Sequence, residues 1–190
     1  LKHDKQVKNL WHHFSTKYMI SAAFRVPVDR MPRFAANLTW LFTEYSFLDR
    51  FDAAADCRFD AVEVVFPYDY PAAAIARCLG RTRLTMALIN TPPGNIAGDR
   101  GLATPADRAN DFLESIARAA HYAETTDARR VHVMAGMADM EDARAQATYR
   151  DSIAFAADYF ASRQIEAVVE LINGRDIPRY FSKISILRSD

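Results

Sequence analysis

Cysteine is scarce: Cys57 and Cys78 are the only two in 190 residues. Their spacing matches no metal-binding pattern, and both are expected in or beside helices as buried free thiols of a reducing cytoplasm. An excess of charge is equally absent. Lys plus Arg and Asp plus Glu each total 24, which removes the global field that draws proteins to nucleic acid or to anionic membranes. No apolar run is long enough to cross a bilayer. No G-x-G-x-x-G or phosphate-loop pattern follows the first expected strand, and there is no internal repeat beyond a βα rhythm and no low-complexity tract. Neither nucleic acid nor membrane is therefore an expected partner.

The charge balance conceals an asymmetry. Residues 1–30 carry Lys2, Lys5, Lys8, Lys17, Arg25 and Arg30 against Asp4 and Asp29, a net +4 that leaves the other 160 residues at −4. A secretory signal is a poor match, because His12, His13, Ser15, Thr16 and Lys17 interrupt the stretch Trp11 to Phe24. An organelle-targeting segment fits the basic composition loosely. The preferred expectation is a leader, residues 1–30, that is disordered or not native to the domain opening at Met31.

Half of the residues are hydrophobic, enough for one globular domain with a sizeable core. From Met31 onward, short apolar runs alternate with stretches of helical period, the pattern of βα units around a parallel sheet. Strands are predicted at Arg33–Leu38, Ala61–Phe66, Leu84–Asn90, Val131–Ala135 and Ile165–Ile172. Helices are predicted at Ser46–Asp56, Tyr70–Leu79, Pro105–Thr125 and Glu141–Arg163. The strands are near-continuous apolar runs, as expected when both faces of a sheet are covered. A doubly wound open sheet and a closed barrel both satisfy this pattern. The connection Thr91–Thr104, with Pro92, Pro93, Gly94, Gly98 and Gly101, is unusually long, and loops of that length are commonly functional.

In βα folds the chemistry gathers at the carboxyl ends of the strands. That rule selects Asn37, Glu63, Asn90, His132, Glu170 and Asn173. Glu170 follows Val168 and Val169 in an apolar run, where burial would penalise its charge and suit it to general-base work. An ion pair with a neighbouring arginine is the plainer reading. Glu63 reads as a structural carboxylate that bonds backbone amides of the next loop. His132 alternates with Val131 and Val133 and reads either as a satisfied core residue or as a group facing a barrel interior. Tyr68, Tyr70 and Arg100 are candidates to line a pocket for a small anion, since an arginine fork binds two carboxylate oxygens at once. His121 is expected on a helix surface or in packing, His3, His12 and His13 belong to the leader, and Arg129–Arg130 is too small for a nucleic-acid footprint.

Several motifs in order resemble one family. Met31-Pro-Arg-Phe-Ala-Ala-Asn37-Leu, Leu41-Phe-Thr-Glu-Tyr45 with Phe47-Leu-Asp-Arg-Phe51, Val62-Glu63 and Phe66-Pro-Tyr-Asp-Tyr70 resemble the opening of hydroxypyruvate isomerases. Asn90-Thr-Pro-Pro-Gly94, Ala97-Gly-Asp-Arg-Gly101, Arg130-Val-His-Val-Met-Ala-Gly136 and Glu170-Leu-Ile-Asn173 through Asp176-Ile-Pro178 continue the resemblance to about Phe181. Residues 31–181 are thus identified as a partial (β/α)8 TIM barrel of α/β class, about the first five βα units. The resemblance implies interconversion of hydroxypyruvate and 2-hydroxy-3-oxopropanoate, with 2-oxo-tetronates as the substrates of related enzymes.

The same resemblance implies that Glu170 is one of two catalytic carboxylates; Asn37, Tyr68, Asn90, Arg100 and His132 are expected substrate-binding positions from their places at strand ends and in the loops. By analogy with related sugar isomerases the resemblance allows a divalent metal, with Glu170 as one ligand. Leu171 stands where the family motif has proline, Asn95-Ile96 where it has Asp-Trp with one more residue, and Ile89 where it has histidine. Residues 182–190 diverge from the family. A whole barrel takes about 250 residues, so three strands, the second glutamate and the other metal positions have no counterpart here. Little isomerase activity is therefore expected of these 190 residues alone. Exposed barrel edges suggest self-association. The rival readings are an inactive or carboxylate-binding half-barrel and, less favoured on charge and histidine content, an abasic-site endonuclease.

Overall fold

The computed structural model describes residues 32–181 and the backbone of 183–184. The expected leader, residues 1–30, and the rest of the divergent tail lie outside the described residues. Five short strands form one sheet: β1 (Ala35–Asn37), β2 (Ala61–Val64), β3 (Thr85–Asn90), β4 (Arg130–His132) and β5 (Glu166–Val168). Their order in space is their order in the chain, and each neighbouring pair is parallel.

Parallel neighbours need a crossover. Helices α1 (Arg50–Asp56), α2 (Ala72–Thr82), α3 (Ala109–Thr126) and α4 (Ala143–Ala161) supply one after each of the first four strands. A doubly wound sheet reverses direction at a switch point, whereas this sheet steps the same way at every crossover, as a barrel does. The order therefore decides between the two architectures that periodicity left open.

The helix starts differ from expectation by a turn. Phe47–Asp49 and Ala106–Arg108 are 3-10 turns leading into α1 and α3. At α4 the Asp142 carboxylate accepts a bond from the Arg144 amide at 2.8 Å, which satisfies one of the free donors of the first turn. Helices α2 and α3 close on left-handed residues, Arg83 and Asp127. Their apolar stripes, including Phe51, Ile75, Ile116 and Phe160, pack against Val62, Val64, Ile89 and Val131 in the main core. Burying each such side chain contributes about 1.5–3 kcal/mol. Cys78 joins this core, but Cys57 is exposed because it sits just past the end of α1, where the chain turns outward.

The fifth strand is shorter than its apolar run. Its ladder with β4 ends where the Val133 amide bonds the Val168 carbonyl at 2.9 Å. Val169 and Leu171 beyond it are exposed. Ile172–Asn173 instead forms β6, which pairs in parallel with β7 (Lys183–Ile184) in a separate two-stranded sheet. Between them the chain returns to the exit of β4. There Met137 bridges Tyr180 and the Phe181 amide bonds the Gly136 carbonyl at 3.0 Å. Tyr180, Phe181, Ala135 and Ala145 form a second small core.

The long loop after β3 is tied down at both ends of its glycine segment. Arg108 donates to both oxygens of Asp99 at 2.9 and 2.8 Å, to Asn95 at 2.6 Å and to Asp111 at 2.8 Å. The Gly101 amide bonds the Pro93 carbonyl at 2.8 Å, and Gly101 bridges Ala135. Gly101 has φ of +127°, and a Cβ there would lie 2.4 Å from the Met134 carbonyl oxygen. Gly98 has φ of +94° but open space around it. Gly101→Ala is therefore expected to cost about 3 kcal/mol or more by strain plus clash, and Gly98→Ala about 1–2 kcal/mol by strain alone. Urea denaturation of the two variants checks this ordering, and equal losses would contradict it.

Candidate active site

The carboxyl ends of the strands surround a cavity of about 580 Å³. Asn37 reaches it from β1, Glu63 from β2, Asn90 from β3 and His132 from β4, while Glu170 stands two residues beyond β5. Arg100 enters from the long loop, and Trp40 and Tyr180 complete the wall. Parallel register brings these groups together, because Asn37 pairs with Glu63 and Asn90 with His132 at the same end of the sheet.

The Asn37 side-chain amide donates to Glu63 at 2.7 Å, and its oxygen accepts from the Thr39 amide at 3.0 Å. Both ends of that amide are thus oriented by the fold. The Thr39 hydroxyl in turn accepts from the Val65 amide at 2.9 Å, locking the β1 and β2 exits to each other. Glu63 takes its bond from a side chain of the neighbouring strand, rather than from the amides of the next loop.

Tyr68 stands elsewhere. Its ring packs edge-on against Tyr122 at 4.9 Å, with the Arg118 guanidinium 4.9 Å from its centroid, and its hydroxyl donates to the Asn90 carbonyl. Burial pushes that hydroxyl far above its ordinary pKa, so it remains a donor. The loop after β2 turns its aromatic rings outward onto α3, where they gain apolar contact, and Tyr70 likewise stacks on Phe47 at 4.5 Å. Neither tyrosine lines the cavity; Tyr68 braces the strand end that carries Asn90.

His132 is the most constrained polar group of the site. It is 3% exposed, and neither ring nitrogen has a hydrogen-bond partner among the described residues. Desolvation lowers its pKa to about 4, so the imidazole is neutral at pH 7 and offers one donor and one acceptor. An unsatisfied buried polar group costs about 1–3 kcal/mol, a cost that a polar ligand in the cavity would relieve. The Glu170 carboxylate lies 3.8 Å from its Nδ1, beyond hydrogen-bond reach.

Glu170 departs from the sequence reading in one respect. Its side chain is 63% exposed, so the desolvation expected from its apolar flanks is absent. The reason is the early end of β5: from Val169 to Leu171 no strand pairs with the chain, and Glu170 projects at the rim. Its place beside His132 remains. Arg100 is exposed at the cavity and has no ion-pair or hydrogen-bond partner among the described residues. His121 is exposed on α3 with its ring against Tyr122.

A divalent cation takes several oxygen or nitrogen donors. Among the described residues no three His, Cys, Asp or Glu side chains converge to hold one. Glu170 and His132 supply at most two, so the donor set present does not fit a metal by itself.

Two lining residues escaped the sequence reading. Trp40 follows directly after the β1 exit, so the strand-end rule could have found it. Tyr180, whose oxygen accepts from the Ala135 amide at 3.0 Å, arrives through a bridge between distant segments and carried no local signal. Burial pushes its hydroxyl up to about 12.

The sequence profile of a family described as xylose isomerase-like TIM barrel matches residues 51–186. A 2-oxo-tetronate isomerase of Cupriavidus necator is 48% identical over 154 residues, covering 80% of this chain and 59% of its own. The hydroxypyruvate isomerase of Escherichia coli is 36% identical over 153 residues, covering 79% and 59%. A solved Brucella melitensis structure described as an AP endonuclease of family 2 superposes with a TM-score of 0.76 at 42% identity, covering 80% and 59%. The chain thus spans about 59% of the length of these curated relatives.

The His132 environment makes stability depend on pH. The folded pKa of about 4 lies below the unfolded value of 6.5. The unfolded chain therefore binds the proton first, and stability falls as pH drops from 6.5 toward 4. The loss attributable to this group is of order 3 kcal/mol. His132→Gln should flatten that part of the curve of unfolding free energy against pH; an unchanged slope would refute the assignment.

Proposed function

The chain belongs to the xylose isomerase-like TIM barrel family, and from that premise we propose that its cavity carries part of an isomerase site for small hydroxy-oxo acids. The reaction is the interconversion of hydroxypyruvate and 2-hydroxy-3-oxopropanoate, with 2-oxo-tetronates as the alternative substrates. The names of the relatives support the reaction class. The observation that carries it to this chain is the placement of Glu170 3.8 Å from the buried His132, whose ring nitrogens have no hydrogen-bond partner among the described residues, at the cavity formed by the strand ends.

The chemistry moves one proton between neighbouring carbons. Glu170 takes a proton from C3 of hydroxypyruvate, the carbon bearing the hydroxyl, and the electron pair left behind forms an enediolate with the C2 carbonyl. Return of a proton to C2, with the hydroxyl proton passing from O3 to O2, completes the aldehyde product. Neutral His132 suits the oxygens, since one nitrogen donates to a developing enediolate oxygen while the other accepts a hydroxyl proton. Asn90 stands at the neighbouring strand end, and Asn37 holds Glu63 beside it. No step here runs through a metal, because the donors present do not make a site for one.

Proton removal and return on one face are the steps that Glu170 can perform. An abasic-site endonuclease, the activity named for the Brucella melitensis structure, asks for clustered metal donors and a basic surface. The net −4 of residues 31–190 opposes that reading.

Exchange of the C3 protons of hydroxypyruvate in deuterium oxide, followed by proton NMR, isolates the Glu170 step from the whole isomerisation. The chain should accelerate exchange above the protein-free rate, and Glu170→Gln should lower that acceleration by about 10²-fold or more. Carboxylate binding with no Glu170-dependent exchange would overturn the isomerase reading in favour of a binding half-barrel.

A further inference from the structure

Arg108, in the turn that leads into α3, holds the loop Thr91–Thr104 through the loop's own Asp99, and that arrangement bears on the arginine of the loop, Arg100. Asp99 precedes Arg100 in the chain and is the carboxylate best placed by sequence to neutralise it. Arg108 occupies both Asp99 oxygens, at 2.9 and 2.8 Å, and the Ile96 amide bonds one of them at 2.9 Å. Burial alone would raise the Asp99 carboxyl, but these bonds outweigh it and hold the group below the usual carboxylate range. On the other side of Arg100, Gly101 is fixed by its bond to Pro93 and its bridge to Ala135. The backbone is thus anchored immediately before and immediately after Arg100.

Among the residues lining the cavity, Arg100, Glu63 and Glu170 bear formal charge. Glu63 is engaged by Asn37, Glu170 stands beside His132, and Arg100 has no partner among the described residues. The imidazole of His132 stays neutral at pH 7, which leaves Arg100 as the positive charge of this wall. Against the two carboxylates of the cavity, the unpaired guanidinium is the group that offers an anionic ligand a charge partner, and its planar fork fits a carboxylate through two parallel bonds.

We propose that Arg100 is the specificity-determining residue of the cavity, recognising the carboxylate of the ligand and so selecting oxo acids over neutral sugars and ketoses. This rests on the isomerase reading for the ligand's chemical class, and it assigns Arg100 no part in proton transfer. The Asp99–Arg108 clamp is what keeps the guanidinium available: it withholds the adjacent carboxylate and presents the loop in one conformation. Because Arg100 is exposed, the charge part of the recognition is open to screening by salt.

The test compares hydroxypyruvate with dihydroxyacetone, which keeps the hydroxy-ketone and replaces the carboxylate by a neutral hydroxymethyl group. Binding of each probe to the full 190-residue chain is measured by saturation-transfer NMR titration at low salt. The wild-type chain should prefer hydroxypyruvate roughly tenfold to a hundredfold, the range expected for bonds to a charged group. Arg100→Gln should collapse that preference to within about threefold while leaving dihydroxyacetone binding unchanged, and Arg100→Lys should retain part of it, having the charge without the fork. Arg150→Gln, at an exposed helical position away from the cavity, should change neither probe.

An Arg100→Gln chain that still prefers hydroxypyruvate tenfold overturns the proposal, as does a wild-type chain that binds neither probe or both equally. The two readings fail separately. Arg100-dependent preference without Glu170-dependent proton exchange leaves carboxylate recognition standing and removes the isomerase. Proton exchange with no Arg100-dependent preference does the reverse.

Discussion

Parallel hydrogen bonding between strands that follow one another in the chain is the constraint on which the rest of this molecule depends. Once β1 pairs with β2, β2 with β3 and so on in the same sense, each strand's carboxyl end must lie at the same edge of the sheet. Residues as far apart in sequence as Asn37 and Glu170 are then brought to one cavity with no further device. The helices that carry out the crossovers pack Phe51, Ile75, Ile116 and Phe160 against the strands in the main core. Packing of this kind tolerates little displacement, so the strand ends are held with the precision that hydrogen-bonding groups need.

Within that frame, the polar groups of the cavity divide into those whose hydrogen bonds are satisfied and those left open. Asn37, Glu63 and Thr39 satisfy one another and the local backbone. Tyr68 and Tyr180 each spend a hydroxyl oxygen or proton on the backbone of a strand exit. These bonds stiffen the rim. His132 and Arg100 remain without partners among the described residues, one buried and neutral, the other exposed and charged. The buried imidazole and the unneutralised guanidinium are the groups of this cavity whose bonding a polar, anionic ligand would complete. The division between satisfied and open groups, rather than the residue types alone, is what supports the proposed recognition at this cavity.

The succession of strands and helices along the chain, the positions of all four helices and the polar residues at the strand exits were legible in the sequence. They follow from local rules: apolar runs make buried strands, 3.6-residue stripes make helices, and the polar residue that ends an apolar run marks an exit. Asn37, Glu63, Asn90 and His132 obey that rule and line the cavity. The rule overreached where apolarity continued past the pairing partner. The run Ile165–Ile172 reads as one strand, yet hydrogen bonding to β4 ends at Val168, and a strand stops where its ladder stops. The exposure of Glu170 follows from that. Tyr68 failed for a different reason, since a loop residue has no fixed period and its ring packs against Tyr122 of α3.

By itself, then, the sequence determined the class of fold, the chain order of its elements and the polar residues that any parallel arrangement must gather at one edge, because each of these depends on local pattern. Tertiary structure alone decided the direction of winding, the burial of His132, the exposure of Glu170 and the clamp of Arg108 on Asp99 that leaves Arg100 free of it. Those depend on which backbone groups find partners across large separations in sequence. Burial and pairing belong to the assembled environment, and no residue carries them alone.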